Sequence, residues 1–288
     1  MTQSPVFGVI GGSGLYAFHG LENTESIELD TPFGKPSAPI IVGEIKGKKV
    51  AFLARHGIGH HLNPSEVNYR ANIYALKSLG VSRVISVSAC GSLREDYAPG
   101  DIVIPDQIFD LTHKRQRSFF GEGLVSHVSV ADPFCKSLTS LLVNALEKEK
   151  VRLHKTGTYI TIEGPRFSTK CESQTYRGWG MSIIGMTASP EAFLAREAEL
   201  CYATMAHVTD YDVWHPSEET VSAEMVIRTL LKNTEIAQNA IIRLVDMLDQ
   251  LAPCDCDTAL KDSLITNPAV IPPETRQKLD LLVNKYLE

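Results

Sequence analysis

The chain has 288 residues, 43% hydrophobic and 22% charged, with a formal net charge of -6. That is the composition of a soluble globular protein long enough for one large α/β domain or two small ones. The charge excludes a general nucleic-acid binder, which needs a basic face. No apolar run reaches the roughly 18 residues that cross a bilayer, and Met1 to Pro5 lacks the basic region of a secretory signal, so the expected compartment is the cytoplasm.

In chain order, Val6 to Ile10 is predicted as a short strand closed by Gly11-Gly12-Ser13-Gly14. Ile40 to Gly43 and Lys49 to Ala54 are predicted as a hairpin across Lys46-Gly47, ending on Arg55-His56-Gly57. Asn68 to Leu79 has helical spacing and stops at Gly80. Strands follow at Arg83 to Ser88, running into Ala89-Cys90-Gly91-Ser92, and at Ile102 to Pro105. Residues 110–130 are rich in Lys, Arg, Gly, Phe and His and read as a long functional loop. A helix is predicted over Ala131 to Lys150, a strand over Lys155 to Glu163 leading into Gly164-Pro165-Arg166-Phe167, a short strand over Ser182 to Met186 and a helix over Ala192 to Leu200. Cys201 to Ala206 reads as a buried strand that ends on Thr209-Asp210-Tyr211-Asp212. Ser222 to Leu251 is predicted as one long helix, and the tail after Pro253 carries a last short helix over Pro273 to Leu287.

The alternation of strands and helices predicts an α/β fold. With no linker or repeat, it is read as one domain over residues 1–288, with a helical tail from about residue 253. Of the six cysteines, Cys90, Cys135, Cys171 and Cys201 are read as buried thiols. Cys254 and Cys256 are read as free surface thiols, with a strained short-loop disulfide as the alternative. With no second Cys or His cluster near them in sequence, no zinc site is expected.

Several strands end in small or polar residues. Should those ends meet on one sheet edge, Ser13, Arg55, His56, Ser88 and Thr187 would supply donors and positive charge suited to a phosphate-sized anion. Asp210 and Asp212, at i and i+2 on an extended strand, would face one pocket. Together with Phe167 they would offer an acid, an acceptor and a flat apolar face, which suits a purine base. Burial would raise the pKa of such an acid and let it donate a proton near neutral pH. A competing pattern, Gly12-Ser13-Gly14-Leu15-Tyr16-Ala17 with Glu28 or Asp30 further on, fits a dinucleotide fingerprint. Phe18-His19-Gly20 is not the helix that fingerprint needs, and no Gly-Lys-Ser/Thr phosphate loop is present.

The ordered set of residues 8–14 (Gly-Val-Ile-Gly-Gly-Ser-Gly), 31–37 (Thr-Pro-Phe-Gly-Lys-Pro-Ser), 54–57 (Ala-Arg-His-Gly), 64–72 (Pro-Ser-Glu-Val-Asn-Tyr-Arg-Ala-Asn), 89–93 (Ala-Cys-Gly-Ser-Leu), 163–168 (Glu-Gly-Pro-Arg-Phe-Ser) and 209–212 (Thr-Asp-Tyr-Asp) resembles the 5′-methylthioadenosine phosphorylases. That family belongs to the trimeric purine nucleoside phosphorylase superfamily. The resemblance runs from about Gly8 to the long helix near the C-terminus. It implies a single-domain α/β fold with a central mixed sheet flanked by helices. The activity it implies is cleavage of methylthioadenosine by phosphate to adenine and 5-methylthioribose 1-phosphate, in purine and methionine salvage. It further implies a homotrimer or a dimer of trimers and no cofactor or metal, phosphate being a co-substrate.

Residue by residue, Ser13, Arg55, His56, Ser88, Ala89 and Thr187 match the phosphate side, Ala89 also lining the ribose region over Met186. Phe167 matches the aromatic packed on the base, and Asp210 and Asp212 match the pair that reads adenine N7 and the 6-amino group. Ser168 stands where 6-oxopurine phosphorylases carry Glu, and Asp210 where they carry Asn, so adenine is favoured. Val226 and Ile227 match apolar residues around the methylthio group, with Ala223 in place of a larger aliphatic. His127 resembles a loop histidine that reaches a neighbouring subunit's pocket. Gly185 departs from relatives that carry Asn before the Met-Thr pair. Two other readings stand beside this one: a nucleosidase in which water replaces phosphate, and a non-catalytic nucleotide-binding protein.

Overall fold

The computed structural model describes residues 7–11, 18–216 and 222–287, with only the backbone of Ala223, Met225 and Lys232. The strands are β1 (Phe7–Gly11), β2 (Glu22–Ile27), β3 (Ile40–Ile45), β4 (Lys48–Ala54), β5 (Arg83–Ser92), β6 (Ile102–Val103), β7 (Gln107–Asp110), β8 (Leu153–His154), β9 (Thr158–Thr161), β10 (Ile183–Gly185) and β11 (Cys201–Asp210). The helices are α1 (Tyr69–Ser78), α2 (Lys136–Leu146), α3 (Lys170–Gly178), α4 (Ala188–Glu197), α5 (Ala223–Lys232), α6 (Thr234–Asp246) and α7 (Pro273–Val283).

The strands form one mixed sheet in the order β2-β3-β4-β1-β5-β10-β9-β7, with β11 branching off β5 and leading through β6 to β8. β5 is the hub. Its first residues pair in parallel with β1, its last two pair antiparallel with β10, and its other edge pairs in parallel with β11 along nearly its whole length. Every residue of β11 is buried, as expected of a strand covered on both faces. One face packs on α1, α4 and α7 through residues such as Ile73, Leu194, Tyr202 and Leu282. The opposite face packs on α2 and α6 through Leu142, Ala203, Met205 and Ile241. This is the α/β fold that the alternation of elements predicts, with the mixed, helix-flanked sheet that the family resemblance implies.

Several elements differ from the sequence reading: the short strands β7 and β8 were not anticipated, and α4 begins at Ala188 rather than Ala192. The long helix expected over Ser222 to Leu251 is two helices, α5 and α6, separated at Asn233. There the chain tightens to an Asn233 N–H bond onto the Leu230 carbonyl, 3.1 Å. The buried Asn233 amide donates to Gly100 O at 3.1 Å, tying the break to a turn. α2 begins at Lys136 rather than Ala131, with Cys135 as its N-cap. α3 was not anticipated, because it buries only Ser173 and Tyr176 and has no apolar stripe. Its signal is the capping box, Thr169 and Glu172, which satisfies the first N–H groups reciprocally. The exposed edge strand β2, with residues of little strand preference, also escaped the sequence reading.

The segment after residue 253 holds short turns and α7, and it is fastened at both ends. Glu199 accepts from the Leu260 N–H and the Tyr286 hydroxyl and pairs with Lys285 at 2.7 Å. Across from it, Thr275 donates to the Glu122 carbonyl and His127 N–H to Ser263 O at 2.9 Å, so the tail lies against the loop of residues 110–130.

A buried ion pair locks β4, β5 and α4 together. Arg55, 1% exposed, gives Nε to Glu191 Oε2 at 2.7 Å and Nη2 to Glu191 Oε1 at 2.9 Å. Tyr202 donates to the same carboxylate at 2.8 Å. Burial opposes the Arg55 charge, but Glu191 outweighs it and holds the guanidinium pKa above its usual value. Removing one partner strands the other as an uncompensated buried charge. Glu191→Gln is therefore expected to destabilise the fold by about 3–5 kcal/mol in urea unfolding; a loss below about 1 kcal/mol would show that the pair does not hold these elements.

Candidate active site

At the C-terminal ends of β4, β5, β10 and β11 the structure encloses a cavity of about 620 Å³, a volume suited to a small organic ligand. Strand ends in α/β sheets are where such crevices form. On one side it is lined by Arg55, His56, Ser88, Ala89 and Thr187. On another it is lined by Phe167, Ser168, Met186, Asp210 and Asp212, with Val226 and Ile227 of α5 completing the wall. The polar and apolar groups singled out from sequence thus meet across one space. Ser13 lies outside the described residues, as does the side chain of Ala223. His127 is exposed and does not line this cavity.

The two aspartates reach the cavity by a different route from simple strand alternation. The β5–β11 register slips between Val208 and Asp210, so Thr209 is an extra residue and Asp210 sits opposite Gly91. A bulge of this kind turns a side chain out of the regular pleat. β11 stops at Asp210, and Asp212 follows in the left-handed region at φ 51. Asp210 Oδ1 accepts the Asp212 N–H at 2.8 Å, closing an Asx turn. It is this turn, not an i, i+2 strand spacing, that aims both carboxyl groups inward. Gly91 is needed because a Cβ there would come within 2.9 Å of Asp210 Oδ1. The following loop is held by Trp214, whose Nε1 donates to Ser92 O at 2.7 Å beneath the Arg177 guanidinium.

Burial pushes the Asp210 carboxyl up to about 6. The Thr209 hydroxyl, 2.7 Å from Oδ2, and the Asp212 N–H pull the other way, and the neighbouring Asp212 charge adds to the rise. Asp212 is raised as well, mainly by burial. Its Oδ2 and the Ser168 hydroxyl are both buried with no well-formed hydrogen bond among the described residues, although the Ser173 and Ser168 hydroxyls lie close enough to pull the Asp212 pKa partly back down. Unpaired polar atoms in an apolar cavity are costly, and a ligand with matching donors would satisfy them.

The anion side is less cationic than its sequence suggests. Arg55 commits Nε and both Nη2 hydrogens to Glu191, Ser86 and Ile10 O, and one Nη1 hydrogen to Val87 O at 3.2 Å. One Nη1 hydrogen is left over. The His56 ring nitrogen Nδ1 lies 2.9 Å from the Leu62 carbonyl, which assigns its proton there and leaves Nε2 as an acceptor. Burial, reinforced by Arg55, lowers the His56 pKa to about 4, so the ring is neutral at pH 7. Of the described residues singled out from sequence on this side, Ser88 and Thr187 add their hydroxyls as donors.

Three positioning residues were not found from sequence. Glu191 carried no signal, since it fell just ahead of the predicted helix, where an acidic residue reads as exposed. Arg115, in the loop of residues 110–130, is 7% exposed; its Nη1 donates to the carbonyls of Met186 and Ser189, each at 2.6 Å, and its Nη2 to Glu163 O at 2.7 Å. It fixes the backbone on either side of Thr187. The third is Tyr159, fully buried, with its hydroxyl 3.5 Å from Ser88 Oγ. Its ring explains the glycine at 185, because a Cβ at that position would overlap the Tyr159 hydroxyl and ring. The space another side chain would take at position 185 is filled here by Tyr159. Gly185→Ala is accordingly expected to lower stability by about 1–3 kcal/mol and to disturb phosphate more than nucleoside affinity. Calorimetry and separate Michaelis constants test this, and an unchanged melting temperature would contradict it.

Residues 6–247 match the model of the phosphorylase superfamily. The chain is 50% identical over 279 residues to S-methyl-5′-thioadenosine phosphorylase of Koribacter versatilis, covering 97% of this chain and 96% of that one. It is 52% identical over 285 residues to the enzyme of that name from Chloroflexus aurantiacus, covering 99% of each. Among solved structures, a methylthioadenosine phosphorylase from an antarctic soil metagenomic library superposes with a TM-score of 0.92 at 48% identity, over 97% of this chain and 99% of that one. The Schistosoma mansoni methylthioadenosine phosphorylase in complex with adenine gives 0.84 at 35% identity, over 93% and 97%. The chain belongs to the phosphorylase superfamily.

Proposed function

We propose that this chain cleaves S-methyl-5′-thioadenosine with phosphate, releasing adenine and 5-methylthioribose 1-phosphate. The observation that carries the reading is Asp210, a buried carboxyl with its pKa pushed up to about 6, on the same cavity as an Asp212 oxygen without a well-formed hydrogen bond and a set of small neutral donors. The relatives at about half identity carry the same activity in their names.

In this reading Phe167 packs on the purine, Asp210 gives its proton to N7 as the C1′–N9 bond lengthens, and Asp212 with Ser168 meets the 6-amino group. Met186 and Ala89 lie along the ribose. Val226 and Ile227 present apolar surface to the methylthio group, which favours a thioether over a 5′-hydroxyl, and the family resemblance adds Ala223. Phosphate, held by Ser13, Arg55, Ser88 and Thr187, attacks C1′ from the face opposite the base. Neutral His56 offers Nε2 as an acceptor for the hydroxyl of monohydrogen phosphate. The electron pair of the broken bond leaves on the base, and the new C1′–O bond takes its electrons from phosphate. The leftover phosphate proton balances the one Asp210 gives up. No cofactor or metal enters these steps.

The assembly we propose is a homotrimer or a dimer of trimers. It is supported by His127, exposed and outside its own cavity, on a loop that also exposes Val125 and Val130. No helix among the described residues is long and apolar enough to cross a membrane. The cytoplasm, where thiols stay reduced, fits the free cysteines.

A panel of nucleosides assayed for base release with and without phosphate tests the reaction. Adenine release from methylthioadenosine is expected only with phosphate or arsenate; release at equal rate in phosphate-free buffer would make the enzyme a nucleosidase. An acid that must be protonated is active below its pKa, so nucleoside kcat/KM is expected to fall as pH rises through about 6. Asp210→Asn should lower kcat by about 10²–10⁴-fold and abolish that limb. Near wild-type turnover in this variant would remove Asp210 as the acid.

The same substitution should stabilise the fold. The folded carboxyl binds its proton more tightly than the unfolded one, so its contribution is lost as pH rises from about 4 to about 6. Asparagine keeps the acceptor for the Asp212 N–H without the buried charge. We expect Asp210→Asn to gain about 1–3 kcal/mol at pH 7.5, narrowing toward pH 5. A lower melting temperature at pH 7.5 would contradict the assignment of burial as the cause.

A further inference from the structure

Two expectations from the sequence fail at the cysteines. Cys256 is 4% exposed rather than on the surface, and Cys171 is exposed rather than buried. More consequentially, the Cys-x-Cys pair does have cysteine neighbours, which the fold brings from distant parts of the chain. The sulfurs of Cys135, Cys201, Cys254 and Cys256 all lie within 4.8 Å of one another, with Cys201 and Cys254 at 3.4 Å. Among the described residues no other group of three or more His, Cys, Asp or Glu side chains has this closeness.

Four thiolates around one zinc ion at about 2.3 Å stand about 3.8 Å apart. The observed spacing brackets that value, and closing it needs sulfur movements of roughly an ångström, within reach of side-chain rotation. We propose that Cys135, Cys201, Cys254 and Cys256 bind one thiophilic divalent cation of the zinc class in a closed, structural four-sulfur site.

The surroundings suit the charge such a site carries. Binding releases up to four thiol protons and leaves a net charge of -2 on the metal with its ligands. Cys135 is the N-cap of α2, and its sulfur already accepts the Leu138 N–H at 3.5 Å. A helix N-terminus favours a thiolate, and backbone N–H groups on ligating atoms are the usual outer-shell support. The Arg196 guanidinium, 3.3 Å from each Asp255 carboxyl oxygen, also reaches the Cys256 sulfur.

The placement argues for structure rather than catalysis. Cys201 opens β11 and Asp210 closes it, so the two sites stand roughly 30 Å apart along one extended strand. The four ligands join the start of α2, the start of β11 and the beginning of the C-terminal tail, three segments with no other covalent link. A bound ion would fix the tail where it leaves α6, upstream of its contacts with Glu199 and the loop carrying His127.

The test uses the untagged, full-length protein from zinc-supplemented cells, purified with reductant and without chelator. We expect about one zinc per chain by elemental analysis and, after cobalt(II) growth, the intense visible absorption of tetrahedral cobalt thiolate. Cys254→Ser with Cys256→Ser should lose both signals and melt at least about 5 °C lower, while turnover at moderate temperature stays within about twofold. Zinc added back to chelated, reduced wild type should restore its melting temperature and leave the double variant unchanged. Less than about a tenth of an equivalent of zinc in the wild type, with the four sulfurs found as free thiols or disulfides by mass spectrometry, overturns the proposal. That measurement does not depend on the variant folding.

Discussion

The register between β5 and β11 is the constraint from which the site follows. Eight consecutive parallel pairs hold the two strands together, and the slip at Thr209 then places Asp210 against Gly91. Without the slip, alternation would carry the carboxylate to the other face of the sheet. With it, the carboxylate enters a buried space where its charge is poorly solvated, and the raised pKa is the result. The same stretch of backbone supplies the Asx turn that brings Asp212 alongside. Geometry and acidity therefore have one origin.

The anion side obeys a different logic. A cavity that must take up a doubly charged ligand would be expected to hold unpaired cations, yet Arg55 is neutralised by Glu191 and His56 is held neutral by burial and by Arg55 itself. Free buried cations would be expensive before the ligand arrives. A pre-paired guanidinium with one unused N–H, together with hydroxyl groups, gives directed donors at fixed positions and little standing charge. Arg115 applies the same economy one layer out: its charge meets backbone carbonyls around Met186 and Ser189 and holds Thr187 in place without entering the cavity.

Much of the fold was legible because the buried strands are continuous apolar runs and the strand ends carry small and polar residues, as at Arg55-His56 and Thr209-Asp210. The mixed sheet and most of the cavity lining follow from those signals and from the family resemblance. What was not legible depends on partners far away in sequence. Asn233 breaks a helix because Gly100 offers a carbonyl, Glu191 is buried because Arg55 is opposite, and Gly185 is required because Tyr159 fills its space. The two aspartates do line the cavity, but by a different geometry from the one expected, since a bulge leaves no mark in the pattern of apolar residues. α3 lacked periodicity, and its capping box was the one local clue.

β11 connects these observations. It is buried along its whole length, with the cysteine group at its first residue and Asp210 at its last. Whatever fixes Cys201 fixes the strand's entry into the sheet, and through Cys254 and Cys256 it also fixes the tail. The tail in turn lies on the loop of residues 110–130, where His127 N–H meets Ser263 O and where Arg115 braces the backbone around Thr187. Two chains of contacts therefore lead from the far end of the strand toward the cavity, one along β11 to Asp210 and one over the surface through tail and loop. The first is held in register because a one-residue slip would exchange the residues packed on the strand's two covered faces. The second is built of single hydrogen bonds and surface ion pairs, each worth little alone, so it is the route that gains most from a covalent or metal-linked anchor at its start.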